Sequence, residues 1–155
     1  MVKMVLGKST LIKIILGEDR NYKGEVKVAP SVKTGYIPQE IIFKNEEETI
    51  LNYFMYDYND SETKARTYLA KYMFCGNSVF KRLNELSGGE RVRLLLAKLV
   101  LQETNFLILD EPTNHLDIGS RELLEETLQE YKGTILFVSH DRYFAAKIAK
   151  REINI

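Results

Sequence analysis

Lysine and arginine (22 together) balance aspartate and glutamate (22 together) over 155 residues, which excludes a global basic field for nucleic acid and leaves room for one domain with a true core. A single cysteine, Cys75, excludes an internal disulfide, fits a reducing compartment and is expected to be buried. No run of about 18 apolar residues is present, and the amino-terminal residues are too few and wrongly built for a signal peptide, so the chain reads as cytoplasmic with no membrane insertion.

The first predicted element is a helix. Gly7, Lys8, Ser9 and Thr10 lead into an apolar run over 11–16, and Gly17 is the expected stop. Gly-Lys-Ser/Thr opening a helix is the second half of a phosphate-binding loop. Backbone N–H groups and the helix dipole would hold phosphate oxygens, Lys8 would reach the β- and γ-phosphates, and the Ser9 hydroxyl would ligate magnesium. The full pattern asks for a glycine five residues before Gly7, where Val2 stands. Residues 24–28 alternate like an edge strand, and 33–37 read as another, broken by Pro38 with Gln39 at its end.

Residues 45–85 read as a small helical subdomain. The acidic run 46–48 is expected in the first turn of a helix carrying Ile50, Leu51 and Phe54, where it would complement the dipole. Asp60 and Ser61 can cap a second helix, with Ala65, Tyr68, Leu69, Tyr72 and Met73 at core spacing. Tyr53, Phe54, Tyr56 and Tyr58 read as packing rather than a base-stacking platform, because no basic residues are interleaved to hold a backbone phosphate. Ser87 with Glu90 three residues later makes a capping box before an apolar helix over 92–101. The box does not require Gly88 and Gly89, which cost helix propensity and make sense where backbone lies close against a ligand.

Residues 106–110 read as a buried strand ending in Asp110 and Glu111 and closed by Pro112. The pair reads either as an acidic turn after a core strand or as the seat of a hydrated metal ion and an activated water, since ligands of open parallel sheets sit at the carboxyl ends of strands. A helix over 118–131 follows, with Leu123, Leu124 and Leu128 inward and Gly133 as its stop. Next come a buried strand over 134–138 with Ser139, His140 and Asp141 at its carboxyl end, a helix over 142–150, and the start of a strand at 152–155.

In this order, Gly7 to Thr10, Gln39, Leu86 to Glu90, residues 106–111, Asp117 and His140 resemble an ATP-binding cassette ATPase. Glu90 in place of glutamine, the run Glu111-Pro112-Thr113-Asn114-His115-Leu116-Asp117, and His140 within Val138-Ser139-His140-Asp141-Arg142-Tyr143-Phe144 are similar to the ABC-F family. That family comprises soluble twin-cassette proteins acting on the ribosome in translation or antibiotic resistance. Residues 40–86 leave no room for the long helical arm of its first cassette, so the second cassette is expected.

The resemblance implies an α/β fold, P-loop NTPase-like, with a mainly parallel sheet flanked by helices and with 1–155 as a single, incomplete cassette. It implies ATP and Mg2+ as cofactors. Ser9 and Asp110 would hold magnesium, Gln39 would contact the metal and the attacking water, Glu111 would be the general base, and His140 would steady the γ-phosphate. Ser87, Gly88 and Gly89 would cap the γ-phosphate of a nucleotide held by a second cassette, in the same parent chain or a homodimer, and Asp117 would couple the two sites. The ribosome with its rRNA would be the partner of the full-length protein. His115 is expected to be a family fingerprint rather than a metal ligand.

The front departs from the family. Six residues precede Gly7, without the usual strands or adenine-stacking aromatic, and Val2, Val5 and Leu6 stand where small residues belong. An amino-terminal truncation is therefore expected, and the chain alone should bind ATP poorly. Two other readings share the core motifs. One is the nucleotide-binding subunit of a membrane ABC transporter, against which Glu90 and Asn114-His115-Leu116 weigh. The other is a non-hydrolysing remnant that serves as a binding module.

Overall fold

Four apolar residues ahead of Asp110 form the middle strand of a parallel sheet: β2 (Phe106–Asp110) lies between β1 (Thr34–Ile37) and β3 (Thr134–Val138). The computed structural model describes residues 8–151, with side chains from Thr10 onward. Gly7, the side chains of Lys8 and Ser9, and the expected strand at 152–155 lie outside the described residues. Paired on both sides, β2 buries Leu107, Ile108 and Leu109 completely, worth about 1.5–3 kcal/mol each. The last rungs are Ile37 opposite Leu109 and Asp110 opposite Val138, so the chain leaves all three strands at one edge.

Helix α1 (Lys8–Ile15) buries Ile12 and Ile14. It stops as predicted: Gly17 turns left-handed (φ 76°), its N–H donates to the Ile14 carbonyl (3.0 Å), and Glu18 N–H donates to Lys13 (2.9 Å). Residues 24–28, expected as an edge strand, pair with no strand among the described residues, and Val26 and Val28 are exposed. Alternation supplies a face but not a neighbour to pair with.

The crossover from β1 to β2 carries α2 (Ile50–Met55), α3 (Glu62–Ala70), two short 3-10 turns and α4 (Gly88–Leu101). Thr49 and Ser61 cap α2 and α3 by accepting from Asn52 N–H and Lys64 N–H. The acidic run 46–48 therefore precedes α2 rather than opening it, a correction that frees Glu46 for another role. Tyr53 and Tyr58 pack on the core as expected, but Tyr56 is 86% exposed. Helix α3 ends before Tyr72 and Met73; Met73 turns left-handed and is half exposed, not core. Cys75 is also exposed rather than buried, because it starts a 3-10 turn whose Ser78 hydroxyl donates to its carbonyl.

Helix α4 is buried on most of its circumference because β1 and α5 (Ile118–Glu130) pack against it. Helices α3 and α2 reach it through the Tyr68 hydroxyl, which donates to the Ala97 carbonyl, and the Tyr53 carbonyl, which accepts from Lys98 Nζ. It approaches β1 closely at Gly35, where a Cβ would stand 2.8 Å from a Leu107 methyl and 3.0 Å from one of Leu99. Helix α5 buries Leu124 and Leu128 and half-buries Leu123. Strand β3 is half-buried rather than buried among the described residues, and α6 (Arg142–Ile148) is shorter than expected. Gly133 keeps an ordinary φ instead of making a helix stop; it is small because a Cβ would meet the Asn105 carbonyl at 2.5 Å.

Candidate functional site

Where β2 ends, Glu111 adopts φ 50°, a left-handed conformation uncommon for a residue with a side chain. Its N–H donates to the Val138 carbonyl (2.9 Å), which extends the β2–β3 ladder and holds the turn in place. This backbone turns the Glu111 carboxylate toward the end of β3. There Oε2 accepts the His140 N–H (3.1 Å), and Oε1 stands 3.3 Å from His140 Nε2. That second approach lacks hydrogen-bond alignment, so Oε1 is buried without a partner. A buried carboxylate oxygen left unmatched is costly and marks a place where a donor is missing. The His140 side chain is 81% exposed, whereas that of Glu111 is 9% exposed.

Asp110 is 6% exposed beside it, and Pro112 is buried. The Tyr36 phenol on β1 is pushed up, first by burial and then by the charge of Asp110. Gln39 follows β1 on an exposed bend, two residues past the Ile37–Leu109 rung, at the same sheet edge as Asp110, Glu111 and His140. Lys8 and Ser9 open α1 and Thr10 is half-buried on it. Among the described residues no group of three or more His, Cys, Asp or Glu could hold a metal. Two adjacent buried carboxylates therefore fit magnesium only as a partial set, completed by water and phosphate oxygens as that ion prefers.

A second cluster forms at the start of α4. Ser87 Oγ accepts Glu90 N–H (3.2 Å) and Glu90 Oε2 accepts Ser87 N–H (2.9 Å), the predicted capping box. Burial opposes ionisation of Glu90, but the Ser87 N–H and the Lys81 ammonium at 3.0 Å hold its carboxyl below the usual range. Gly88 faces open space. Gly89 does not: a Cβ there would meet Ser120 Oγ at 2.7 Å and Asp117 Oδ2 at 2.8 Å. Asp117 caps α5, its Oδ1 accepting Ser120 N–H (2.9 Å) and its Oδ2 the Ser120 hydroxyl (2.7 Å). The Ser120 hydroxyl, then its N–H, lower the Asp117 carboxyl. The second glycine is thus fitted to the chain's own Asp117 turn, whereas Gly88 has open space where a side chain would stand.

The structure brings Asp110, Glu111, His140 and Gln39 to one edge, and joins Ser87 to Gly89 with Asp117 at another. The left-handed turn at exposed His115 (φ 59°) connects the two. Two side-chain networks that support these clusters escaped the sequence reading. Arg121 on α5 binds Asp141 (2.9 Å), which caps α6 beside His140, and it also reaches Glu125 (3.0 Å), itself bound by Lys147 (2.7 Å). Arg91 and Glu46 make a bidentate pair. An Asp after His140 that could cap a helix was the available signal for the first network; the second joins residues 45 apart and leaves no local trace. A cleft of about 580 Å³ lined by Tyr72, Thr104, Tyr131 and Gly133 opens at the amino ends of β2 and β3, away from the carboxylates.

The ABC transporter family model matches residues 6–114. The ribosome protection protein VmlR of Bacillus subtilis is 44% identical over 154 residues, covering 96% of this chain and 27% of that protein. The ATP-binding protein Uup of Buchnera aphidicola is 42% identical over 150 residues, covering 94% of this chain and 25% of its own length. The chain thus spans about a quarter of the length of the curated relatives it matches. Among solved structures, the ATP binding subunit of an ABC transporter aligns with a TM-score of 0.75 at 24% identity, over 92% of this chain and 67% of that one. A chain from the complex of the archaeal ribosomal stalk protein aP1 and the ribosome recycling factor aABCE1 aligns at 0.74 and 24%, over 94% and 29%. These likenesses show the P-loop NTPase-like α/β fold.

Proposed function

The chain belongs to the ABC transporter family of ATP-binding cassettes, with ABC-F proteins as its curated relatives, and we propose that it is an ATP-hydrolysing cassette of a protein that works on the ribosome. The observation that carries the catalytic part is Glu111: buried, held left-handed at a strand end, with one oxygen fixed by His140 N–H and the other unmatched. With the exposed His140 ring turned off Oε1, a water bound there would satisfy that oxygen and lie where a base can take its proton, at the strand edge that receives ligands.

ATP and Mg2+ are the cofactors of this reading. Bound magnesium supplies charge neutralisation on the phosphates. The residues divide the remaining work. Gly7, Lys8, Ser9 and Thr10 bind phosphate oxygens at the α1 start, with Ser9 and Asp110 as metal-side ligands. Gln39 orients the water, Glu111 accepts its proton, and the exposed His140 ring reaches the γ-phosphate. Ser87, Gly88 and Gly89 present a capped helix end to a nucleotide on a second cassette. Residues 45–85 serve as the helical subdomain of this chain's own cassette, 1–155.

The test of the catalytic part is Glu111→Gln in the whole protein: Mg-ATP binding persists by calorimetry and steady-state turnover stops. Retained turnover removes Glu111 from the base role. The ribosomal part rests on similarity to VmlR, named as a ribosome protection protein. Among the described residues no helix is long and apolar enough to cross a membrane. Co-sedimentation of the whole protein with ribosomes supports this part; co-purification with a membrane partner instead would favour a transporter subunit.

A further inference from the structure

Arg91 stands one residue beyond the Ser87–Glu90 capping box, yet its side chain turns away from that box. Its Nε donates to the Leu86 carbonyl (3.3 Å), and its Nη1 donates to the Ile41 carbonyl (3.0 Å) and to Glu46 Oε1 (2.8 Å). Nη2 donates to Glu46 Oε2 (2.7 Å), and the guanidinium lies 5.4 Å from the centre of the Phe43 ring. Glu46 Oε1 in turn accepts the Phe43 N–H (2.9 Å). One planar fork thus ties the segment that follows Gln39 to the segment that carries Ser87. A lysine's single ammonium could not make the same set of bonds. The side chains are 19% and 31% exposed, against 59% and 65% for the neighbouring Arg82–Glu47 pair, so salt screens the first pair less.

Gln39 stands with the carboxylates of this chain's own site, while Ser87 to Gly89 form the end offered to the nucleotide of a second cassette. We propose that Arg91 and Glu46 are positioning residues, a clamp that sets the Gln39 segment of one nucleotide site against the Ser87–Gly89 turn of the neighbouring site. The clamp rests on the ATPase reading above. Its consequence is that loosening either half disturbs both segments, although the two lie far apart in sequence.

Two measurements test the clamp. In the 155-residue chain, followed by hydrogen exchange, Arg91→Met and Glu46→Ala should each speed exchange in both 41–46 and 86–91 by about ten-fold or more. Arg82→Met, which removes the exposed neighbour pair, should leave both segments within about two-fold. Loosening of only one segment by either variant overturns the clamp. In the whole protein, each clamp variant should lower kcat for Mg-ATP by about ten-fold with KM within about three-fold, because position rather than binding is lost. The double variant should be no slower than either single one, and Arg91→Lys should restore only part of kcat. Multiplying effects, or full rescue by lysine, overturn the proposal. Turnover stopped by Glu111→Gln but unchanged by Arg91→Met overturns the clamp alone; turnover unchanged by Glu111→Gln overturns the ATPase reading and the clamp with it.

Discussion

The two adjacent glycines of the Ser87–Glu90 turn should respond oppositely to the same substitution. At Gly89 an alanine methyl would press on Ser120 Oγ at 2.7 Å, Asp117 Oδ2 at 2.8 Å and Ser120 Cβ at 3.2 Å. These atoms cannot swing aside cheaply, because Ser120 and Asp117 are bonded to each other twice and Ser120 is fully buried. Helix α5 must shift away from α4. Overpacking of this kind costs about 1–3 kcal/mol, and alanine's better helix propensity returns about 1 kcal/mol at most. With that return taken in full, the net loss for Gly89→Ala is about 0–2 kcal/mol, or up to roughly 8 °C in Tm for a chain of this size. Gly88→Ala meets nothing within 4 Å and should be neutral or stabilising by up to about 1 kcal/mol. Thermal and urea unfolding of the two variants, followed by circular dichroism without nucleotide, makes the comparison. If Gly89→Ala proved as stable as Gly88→Ala, the fit of Gly89 to the Asp117 turn would be refuted, and both glycines would have to be explained by a ligand alone.

Acid should act through Glu46. Its carboxyl is lowered from an ordinary 4.5 to about 2, chiefly by the Arg91 guanidinium and then by Phe43 N–H. A lowered folded-state value means that its stabilisation is present above pH about 4.5 and is lost as pH falls toward about 2. Urea midpoints at pH 6 and pH 3 should therefore converge for wild type and Glu46→Gln, and equal acid losses in both would refute it. Arg121→Met should release Asp141 and with it the His140 loop, lowering whole-protein kcat by about ten-fold with little change in KM; an unchanged kcat would confine Arg121 to packing.

Features written in neighbouring residues were legible, and features written in distant pairs were not. The apolar run before Asp110, the Ser87–Glu90 spacing, the Ser61 cap and the Gly17 stop each depend on residues within about one turn, and the structure shows them where expected. The acidic run 46–48 failed as a helix start because the Arg91 side chain, 45 residues on, takes Glu46, while Thr49 does the capping. Residues 24–28 carried a strand pattern without a described neighbour, and Met73 carried helical spacing beyond the point where α3 ends. At the candidate site, the order of motifs gave the residue types and the edge of the sheet. The left-handed Glu111, its unmatched oxygen and the fit of Gly89 against Asp117 are properties of packed neighbours that no single-residue pattern encodes.

Cys75 stands exposed between α3 and the 3-10 turn that follows it, and is the only thiol in the sequence. A maleimide dye would therefore label the unmodified chain at one known point, where it would show optically whether that segment moves when ATP is added. The same thiol can link two chains in oxidising buffer, so a dimer seen on a non-reducing gel says nothing of nucleotide-driven pairing until it survives reductant or Cys75→Ser.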